Sequence, residues 1–432
     1  MKLGMISLGC AKNRIDTELF LGLAKKYELE ITNNIDEADI LVVNTCGFIE
    51  SAKKESIDTI LEMCDYKDKT IIVMGCLVER YLNDLKQSIP EVDYYVPIKE
   101  YKNLDKVFNQ IVNKNKEYSL DYTSRVITTY PHSAYLRIGD GCNNRCAYCA
   151  IPLIRGPFKS REFNSIIEEA KYLSEKGVKE ITLIAQDTTR YGTDIYDESC
   201  RIEHLLREIS KIEEVKLIRL LYLYPDEITK DLIEEIKINE KVTPYFDIPI
   251  QHSSNKLLKA MNRRGTKEDI ADLIDYIREE IPTAIIRSTL IVGFPGETHY
   301  DFLDLKDFIS KTRFDRLGIF TYSDEEDTPA YTYDKKVSSK TSEKRYLELM
   351  KIQEQISYEN NQKYINTLQR CIIDSYDPET NMYIGRNYAY APDDVDGAIY
   401  ITSEKELIIG EFYDVLIYDV TQYDLLGLIT KD

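Results

Sequence analysis

Cys142, Cys146 and Cys149 stand in the run GCNNRCAYCAIP, three thiols within eight residues and no fourth nearby. The missing ligand carries more information than the clustering. A structural zinc or iron–sulfur site normally takes four protein ligands, whereas three thiolates on a four-iron cubane leave one iron open to a small molecule. The competing reading is a zinc knuckle completed by a distant histidine, His132 or His252, although zinc motifs usually come as paired CxxC units. A second set of thiols is spread along the N-terminal part of the chain. Cys10, Cys46 and Cys76 occur in SLGCAKN, NTCGF and MGCLVER, each directly after an apolar run that reads as a strand. Ligands in open α/β sheets gather beyond the carboxyl ends of the strands, so residues far apart in sequence meet there. Three unrelated buried cysteines are the alternative. Cys64, Cys200 and Cys371 have no partners at ligand spacing and read as structural.

The elements that must hold these thiols follow from hydrophobic periodicity. Residues 2–8, Ile40–Thr45 and 70–74 are short runs of Ile, Val and Leu, and residues 16–26 and 50–65 carry apolar side chains at helical spacing. This alternation predicts an α/β unit with a doubly wound parallel sheet. Residues 113–129 are polar and read as a linker. A second βα series begins at Ala134, with strands expected at 135–139, Glu180–Ile184, 217–223, 245–250, Ile285–Val292 and Arg316–Thr321. Helical patterns at 165–176, 202–212 and 267–281 separate some of them. Six βα units predict a partial barrel, open at one side, with chemistry at the carboxyl-end mouth. The cysteine loop 141–149 follows its first strand. Residues 338–369 read as a connecting helix. The runs CIIDSYD, MYIGRNYAY, GAIYITS, FYDVLIYDV and LLGLIT then predict a small five-stranded β-barrel.

A length of 432 residues suits about three domains, and 43% hydrophobic content suffices for real cores. Met1 and Lys2 lead directly into a strand pattern, so no signal peptide is expected. No apolar stretch approaches the roughly 20 residues that cross a bilayer, which excludes a membrane-spanning helix. Nine cysteines without a secretion signal point to reduced thiols and a cytoplasmic location. A net charge of −19 gives no general attraction for phosphate and favours a basic partner. From Asn366 onward there are four Arg/Lys against thirteen Asp/Glu, although small barrels of this kind often bind RNA through basic and aromatic residues.

The spacing CxxxCxxC with an aromatic residue before the last cysteine resembles the signature of radical S-adenosylmethionine enzymes. Together with three strand-end cysteines upstream and a terminal barrel similar to the TRAM domain, the whole chain resembles the methylthiotransferase family. SLGCAKNRIDTE at residues 7–18 and RIGDGCNNRCAYCAIPLIRGPFKSR at 137–161 are similar to the branch that modifies a ribosomal protein (RimO) rather than the branch that modifies tRNA. TYSDEEDTPAY at 321–331 follows the family's usual segment after the last barrel strand. The resemblance implies a methylthiotransferase N-terminal α/β domain at 1–112, a radical S-adenosylmethionine core at 128–360 and a TRAM-like barrel at 366–432. It implies two 4Fe-4S clusters, on Cys142, Cys146 and Cys149 and on Cys10, Cys46 and Cys76, together with S-adenosyl-L-methionine. The first cluster would cleave the cofactor to a 5′-deoxyadenosyl radical and the second would deliver sulfur. The implied reaction is β-methylthiolation of an aspartate of small-subunit ribosomal protein number twelve, a basic partner, with electrons from a donor protein. A tRNA adenosine methylthiotransferase and a non-catalytic, metal-stabilised ribosome-binding protein are the other readings; the acidic terminal barrel disfavours tRNA.

The same resemblance extends to cofactor contacts. Tyr148 matches the aromatic position near the adenine, against a barrel-mouth core role. Gln186 and Asp187, in LIAQD, match positions that contact the cofactor's amino-acid moiety, against a helix-capping role for Asp187. Arg219 and Gln251 lie in later strands and would reach the mouth, unless Arg219 pairs with a carboxylate elsewhere. Gly293, in GFPGE, would permit close backbone approach near the adenine, against a plain turn. Arg155–Arg161, the run RGPFKSR, would serve cofactor or substrate, or be a solvated basic loop. His252 and His299 are isolated and read as structural.

Overall fold

The computed structural model describes residues 1–197, 200–393 and 395–429. Thr430, the last residue of the LLGLIT run, lies outside them. The N-terminal sheet has five parallel strands, Lys2–Ser7, Glu30–Thr32, Ile40–Thr45, Thr70–Gly75 and Tyr94–Pro97, in the spatial order second, first, third, fourth, fifth. Ile40–Thr45 is buried at every position, as a central parallel strand covered on both faces must be. The order reverses between the first and third strands, and a crevice opens there at the carboxyl ends.

Six further parallel strands form the central barrel: Ser133–Arg137, Glu180–Ile184, Leu217–Leu220, Tyr245–Asp247, Ile285–Val292 and Arg316–Thr321. They pair as two three-stranded sheets. A parallel bridge between Ile218 and Val242 joins the sheets, with Thr243 N–H donating to the Ile218 carbonyl at 2.8 Å. The third and fourth strands are shorter than the apolar runs 217–223 and 245–250. Beyond them the chain turns toward the mouth through Tyr222 (φ 63°) and Gln251 (φ 72°), left-handed residues that end strand geometry.

The last five strands, Leu368–Asp377, Met382–Arg386, Ile399–Ser403, Phe412–Val420 and Leu425–Ile429, close into a barrel. The strand in MYIGRNYAY stops at Arg386, because the following segment leaves the barrel for the central domain. The Tyr388 carbonyl accepts from Arg219 (2.8 Å), Asp393 from the Tyr135 hydroxyl (2.5 Å) and Asp396 from the Tyr245 hydroxyl (2.6 Å). One hydrophobic cluster accordingly contains Ile15 and Leu19 of the first helix, Ile184 and Tyr245 of the central barrel, and Ile373, Tyr390 and Val415 of the terminal one.

Residues 113–129 are a packed connector rather than a loose linker. Val126 N–H donates to the Glu18 carbonyl at 3.0 Å, and Arg125, wholly buried, lies 3.4 Å from Glu18 and 3.2 Å from Glu169. The helix expected at 338–369 runs Ser339–Asn361. Among the described residues no helix is long and apolar enough to cross a membrane.

Candidate active site

Three strand–helix turns of the N-terminal sheet assemble the first thiol group. Cys10 flanks the start of the helix Ala11–Lys26, and Cys76 opens the helix Cys76–Ser88. Both sit where a helix N-terminus favours thiolate. The Cys46 N–H donates to the Ser56 hydroxyl, which donates in turn to the Cys46 carbonyl, each at 3.0 Å. Gly9 (φ +89°) and Gly75 (φ +104°) let the turns converge. A Cβ on Gly9 would stand 2.9 Å from the Cys46 Cβ, and one on Gly75 would stand 2.5 Å from the Thr45 carbonyl. Asn13 ties the turns together. Its Nδ2 donates to the carbonyls of Leu8 (3.0 Å) and Thr45 (2.9 Å), and its Oδ1 accepts from the Cys76 thiol (3.3 Å). Burial pushes the Cys76 thiol up to about 12 and the Cys46 thiol upward, and neighbouring Cys10 adds to both. A bound metal reverses that balance.

The second group lies on the loop after the first barrel strand. Ala147 pins the loop, donating to the Met261 carbonyl (2.9 Å) and accepting from Ala330 N–H (2.8 Å). Arg263 Nη1 is 3.8 Å from Cys146 Sγ, and its guanidinium lies 3.9 Å from the ring centre of Tyr224. The Tyr224 hydroxyl is also 3.8 Å from that sulfur. Burial pushes the Cys142 and Cys149 thiols up, with Cys146 adding to both.

Several expected cofactor contacts surround this loop. Tyr148 packs with the cluster of Ala147, Met261, Phe294 and Ala330. Gln186 Oε1 is buried and has no hydrogen-bond partner among the described residues. Asp187 makes no capping bond to the turn Thr188–Arg190. It accepts instead from Asn144 Nδ2 (2.7 Å), Thr189 (2.5 Å) and Arg190 (3.2 Å). Gln251 donates its N–H to the Thr289 carbonyl at 2.8 Å. At Gly293 the close approach is made by the chain itself, since a Cβ there would stand 2.7 Å from the Ser342 Cβ. Arg219 is not brought to the mouth. It is wholly buried, bonded to the Tyr388 carbonyl, 3.5 Å from Glu180 and above the Tyr245 ring.

The histidines offered for a zinc knuckle are engaged elsewhere. His132 Nε2 is 2.8 Å from Asp374 of the terminal barrel. His252 is wholly buried, with Nδ1 accepting from Ser254 N–H (3.0 Å) and Nε2 3.9 Å from Glu297. Among the described residues, no three His, Cys, Asp or Glu side chains converge as ligands of one ion. A cubane spreads its ligands over a wider body.

Two residues outside the motif's cysteines lie where the N-terminal turns meet the central barrel. Arg155 Nη2 lies 3.8 Å from Cys76 Sγ, donates to Asn13 Oδ1 (2.9 Å) and Asp16 (2.7 Å), and Nη1 donates to Asp140 (3.0 Å). It is neither solvated nor free. Cys76 itself packs against Ala150, the residue after Cys149, and against Ile154. Lys12 is buried at the same junction, its Nζ 3.1 Å from the ring centre of Tyr222. Burial pushes this ammonium down to about 8. Sequence reasoning passed over Lys12, Asn13 and Arg263, and offered Arg155 only as part of the run RGPFKSR. Lys12 and Asn13 stand two and three residues after Cys10 in SLGCAKN, and that proximity was the available signal.

The donor set fits iron–sulfur ligation and a bound amino acid: three thiols without a fourth in each group, and an orphaned amide oxygen at Gln186 that requires a donor. The Radical SAM superfamily profile matches residues 136–309, that of the uncharacterized protein family UPF0004 residues 2–97, and that of the TRAM domain residues 367–429. The chain is 49% identical over its whole length to the ribosomal protein uS12 methylthiotransferase RimO of Clostridium botulinum (strain Eklund 17B / Type B), covering 98% of that protein. It is 46% identical to the RimO of Acetivibrio thermocellus, covering 100% of this chain and 99% of the relative. Among solved structures, it is similar in fold to the radical S-adenosylmethionine methyltransferase TsrM of Kitasatospora setae bound to tryptophan and a cofactor analogue. The TM-score is 0.57 at 14% identity, with 74% and 72% of the two chains covered. Two thiol groups on two parallel sheets, three matching profiles and near-complete overlap at this identity lead to one conclusion: the chain belongs to the ribosomal protein uS12 methylthiotransferase RimO family, within the radical SAM superfamily.

Proposed function

We propose that this chain is a radical S-adenosylmethionine enzyme that places a methylthio group on the β-carbon of an aspartate of ribosomal protein uS12. One observation carries the reading: two three-thiol groups follow strands of two different parallel sheets, and Arg155 bridges from Cys76 of one to Asp140, at the base of the loop that carries the other. Cys142, Cys146 and Cys149 would hold one 4Fe-4S cluster, and Cys10, Cys46 and Cys76 a second. When bound, the first cluster and S-adenosylmethionine supply a radical able to take an unactivated hydrogen, and the second cluster supplies sulfur.

The chain's own residues do the rest. The β-hydrogen of an aspartate is too weakly acidic for a side-chain base near neutral pH, so the protein's part is positioning and exclusion of water. Gln186 Oε1 would accept a hydrogen bond from the cofactor's amino group, and Asp187 fixes Asn144 beside Cys142. Tyr148, packed with Phe294 and Met261, would lie near the adenine. Gln251 and Gly293 shape the mouth through their backbones. Arg263 keeps a positive charge beside Cys146. The units 1–112, 128–360 and 366–432 divide the work among sulfur donor, radical core and substrate contact. The basic partner is drawn to exposed carboxylates on the terminal barrel, among them Glu379, Glu404, Glu406, Glu411, Asp414 and Asp419. A separate protein donates electrons.

The test is anaerobic reconstitution followed by incubation with a uS12 peptide carrying the target aspartate and, separately, with tRNA. The expected result is about eight irons per chain, from two four-iron clusters, and a methylthio mass gain on the peptide alone. Mass gain on tRNA, or about four irons with full activity, overturns the reading.

A further inference from the structure

Lys12 is out of place by every local criterion. It occupies the second position of the helix Ala11–Lys26, whose first turn holds no acidic residue, so the positive end of the helix dipole faces a positive side chain. It is 6% exposed, and long ammonium side chains normally keep their heads in water or pair when buried.

The neighbouring cations show what satisfaction looks like here. Arg155 is taken by Asp16 and Asp140, Arg137 by Asp16, and Arg287 by Asp247. Arg14 faces Asp393. Among the described residues, Lys12 Nζ makes no hydrogen bond and no ion pair; its close partner is the face of Tyr222, while Cys10, Asp247 and Asp140 favour its charge only from a distance. That ring is held in position at some cost. Tyr222 has φ 63°, with its N–H donating to Asp247 Oδ2 (2.9 Å) and its carbonyl accepting from Thr188 (3.0 Å). A cation held against a ring by a constrained backbone, two residues from Cys10 and at the carboxyl end of a barrel strand, lacks a directly bonded anion.

We infer that Lys12 binds the side-chain carboxylate of the substrate aspartate and thereby selects an acidic residue at the reacting position. The carboxylate is one bond from the β-carbon. A cation between the N-terminal thiol turn and the barrel mouth therefore fixes that carbon between the two thiol groups. This rests on the proposed reaction. Lys12 is a specificity-determining residue; it moves no proton and forms no covalent bond.

The experiment compares binding of two uS12 peptides to the reconstituted holoenzyme, one with the target aspartate and one with asparagine in its place, for the wild type, Lys12→Gln and Lys12→Arg. Removing one partner of a buried charge pair weakens association by about 30-fold or more. The wild type should prefer the aspartate peptide by that factor, Lys12→Arg should keep most of the preference, and Lys12→Gln should bind both peptides alike. Iron content identifies a variant that has failed to fold. The wild-type ratio needs no variant, and a value near one overturns the assignment, as does an undiminished preference in folded Lys12→Gln. Tight, aspartate-selective binding without methylthio transfer would instead sink the proposed reaction while leaving the role of Lys12 intact.

Discussion

Burial makes poor thiolates of Cys46, Cys76, Cys142 and Cys149, all pushed upward from their ordinary range. Without a cation these side chains stay protonated, so loading a cluster releases protons and iron retention falls as pH drops. The two groups differ in their surroundings. Cys146 has Arg263 and Tyr224, whereas Cys76 has Arg155 and Asn13. Cys146→Ala should lose one cluster, with iron falling from about eight to about four per chain, and should abolish both 5′-deoxyadenosine release and product. Cys10→Ala should show the same iron loss and no product, yet still release 5′-deoxyadenosine. Chromatography of the nucleoside beside mass spectrometry of the peptide separates the two cases. Normal product from Cys10→Ala would remove the N-terminal group from sulfur delivery. All six thiols were visible in the sequence because their spacing and their place after apolar runs are one-dimensional signals. The pairing of Arg155 with Asp16, far away in sequence, has no such signal; it exists only once two sheets face each other.

At the level of elements, the convergence of three turns depends on glycine. Gly75→Ala forces φ +104° on a residue with a side chain and drives its Cβ against the Thr45 carbonyl. Strain of this kind costs about 1–3 kcal/mol, before the clash is counted. The expected outcome is a lower unfolding midpoint in urea, with iron lost from the N-terminal group and retained by Cys142, Cys146 and Cys149. A variant with unchanged midpoint and full iron would show that the turn tolerates a Cβ. Strand positions were legible from runs such as ILVVNT, which must be buried on both faces. Their ends were less so. At 217–223 and 245–250 the apolar run outlasts the strand, because Leu221, Leu223, Ile248 and Ile250 are buried in the mouth's irregular backbone rather than in a ladder. Periodicity reports burial and cannot distinguish those two destinations.

At the level of the whole molecule, part of the negative charge of the terminal barrel has an internal use. Asp374 pairs with Arg386 and His132, Asp393 with Tyr135 and Arg14, and Asp396 with Tyr245 and Arg287. These carboxylates dock the barrel, so the count of thirteen acidic residues overstates what a partner meets. Glu180 completes the interface from the central side, against Arg386 at 2.7 Å and Arg219 at 3.5 Å. Burial alone would raise its carboxyl, but Arg386 and then Arg219 outweigh it and hold it at about 2. A depressed folded value stabilises the protein above the ordinary glutamate range near 4.3 and loses that contribution as pH falls toward 2. The full difference is of order 3 kcal/mol. Thermal unfolding followed from pH 6 down to pH 3 should show a falling midpoint, and the slope should shrink in Glu180→Gln. An identical slope in that variant would assign the acid sensitivity to other carboxylates.

The connector that carries Arg125 passes under the first helix, where Gly22 is the residue that leaves room for it: a Cβ there would stand 2.9 Å from the Arg125 Cα. Its guanidinium answers Glu18 on one side and Glu169 on the other. A chain segment anchored in this way cannot act as a hinge. The placement of the N-terminal thiol turns relative to the central barrel is therefore inherited from folding. Under the proposed reaction the substrate, and not the scaffold, would do the adjusting.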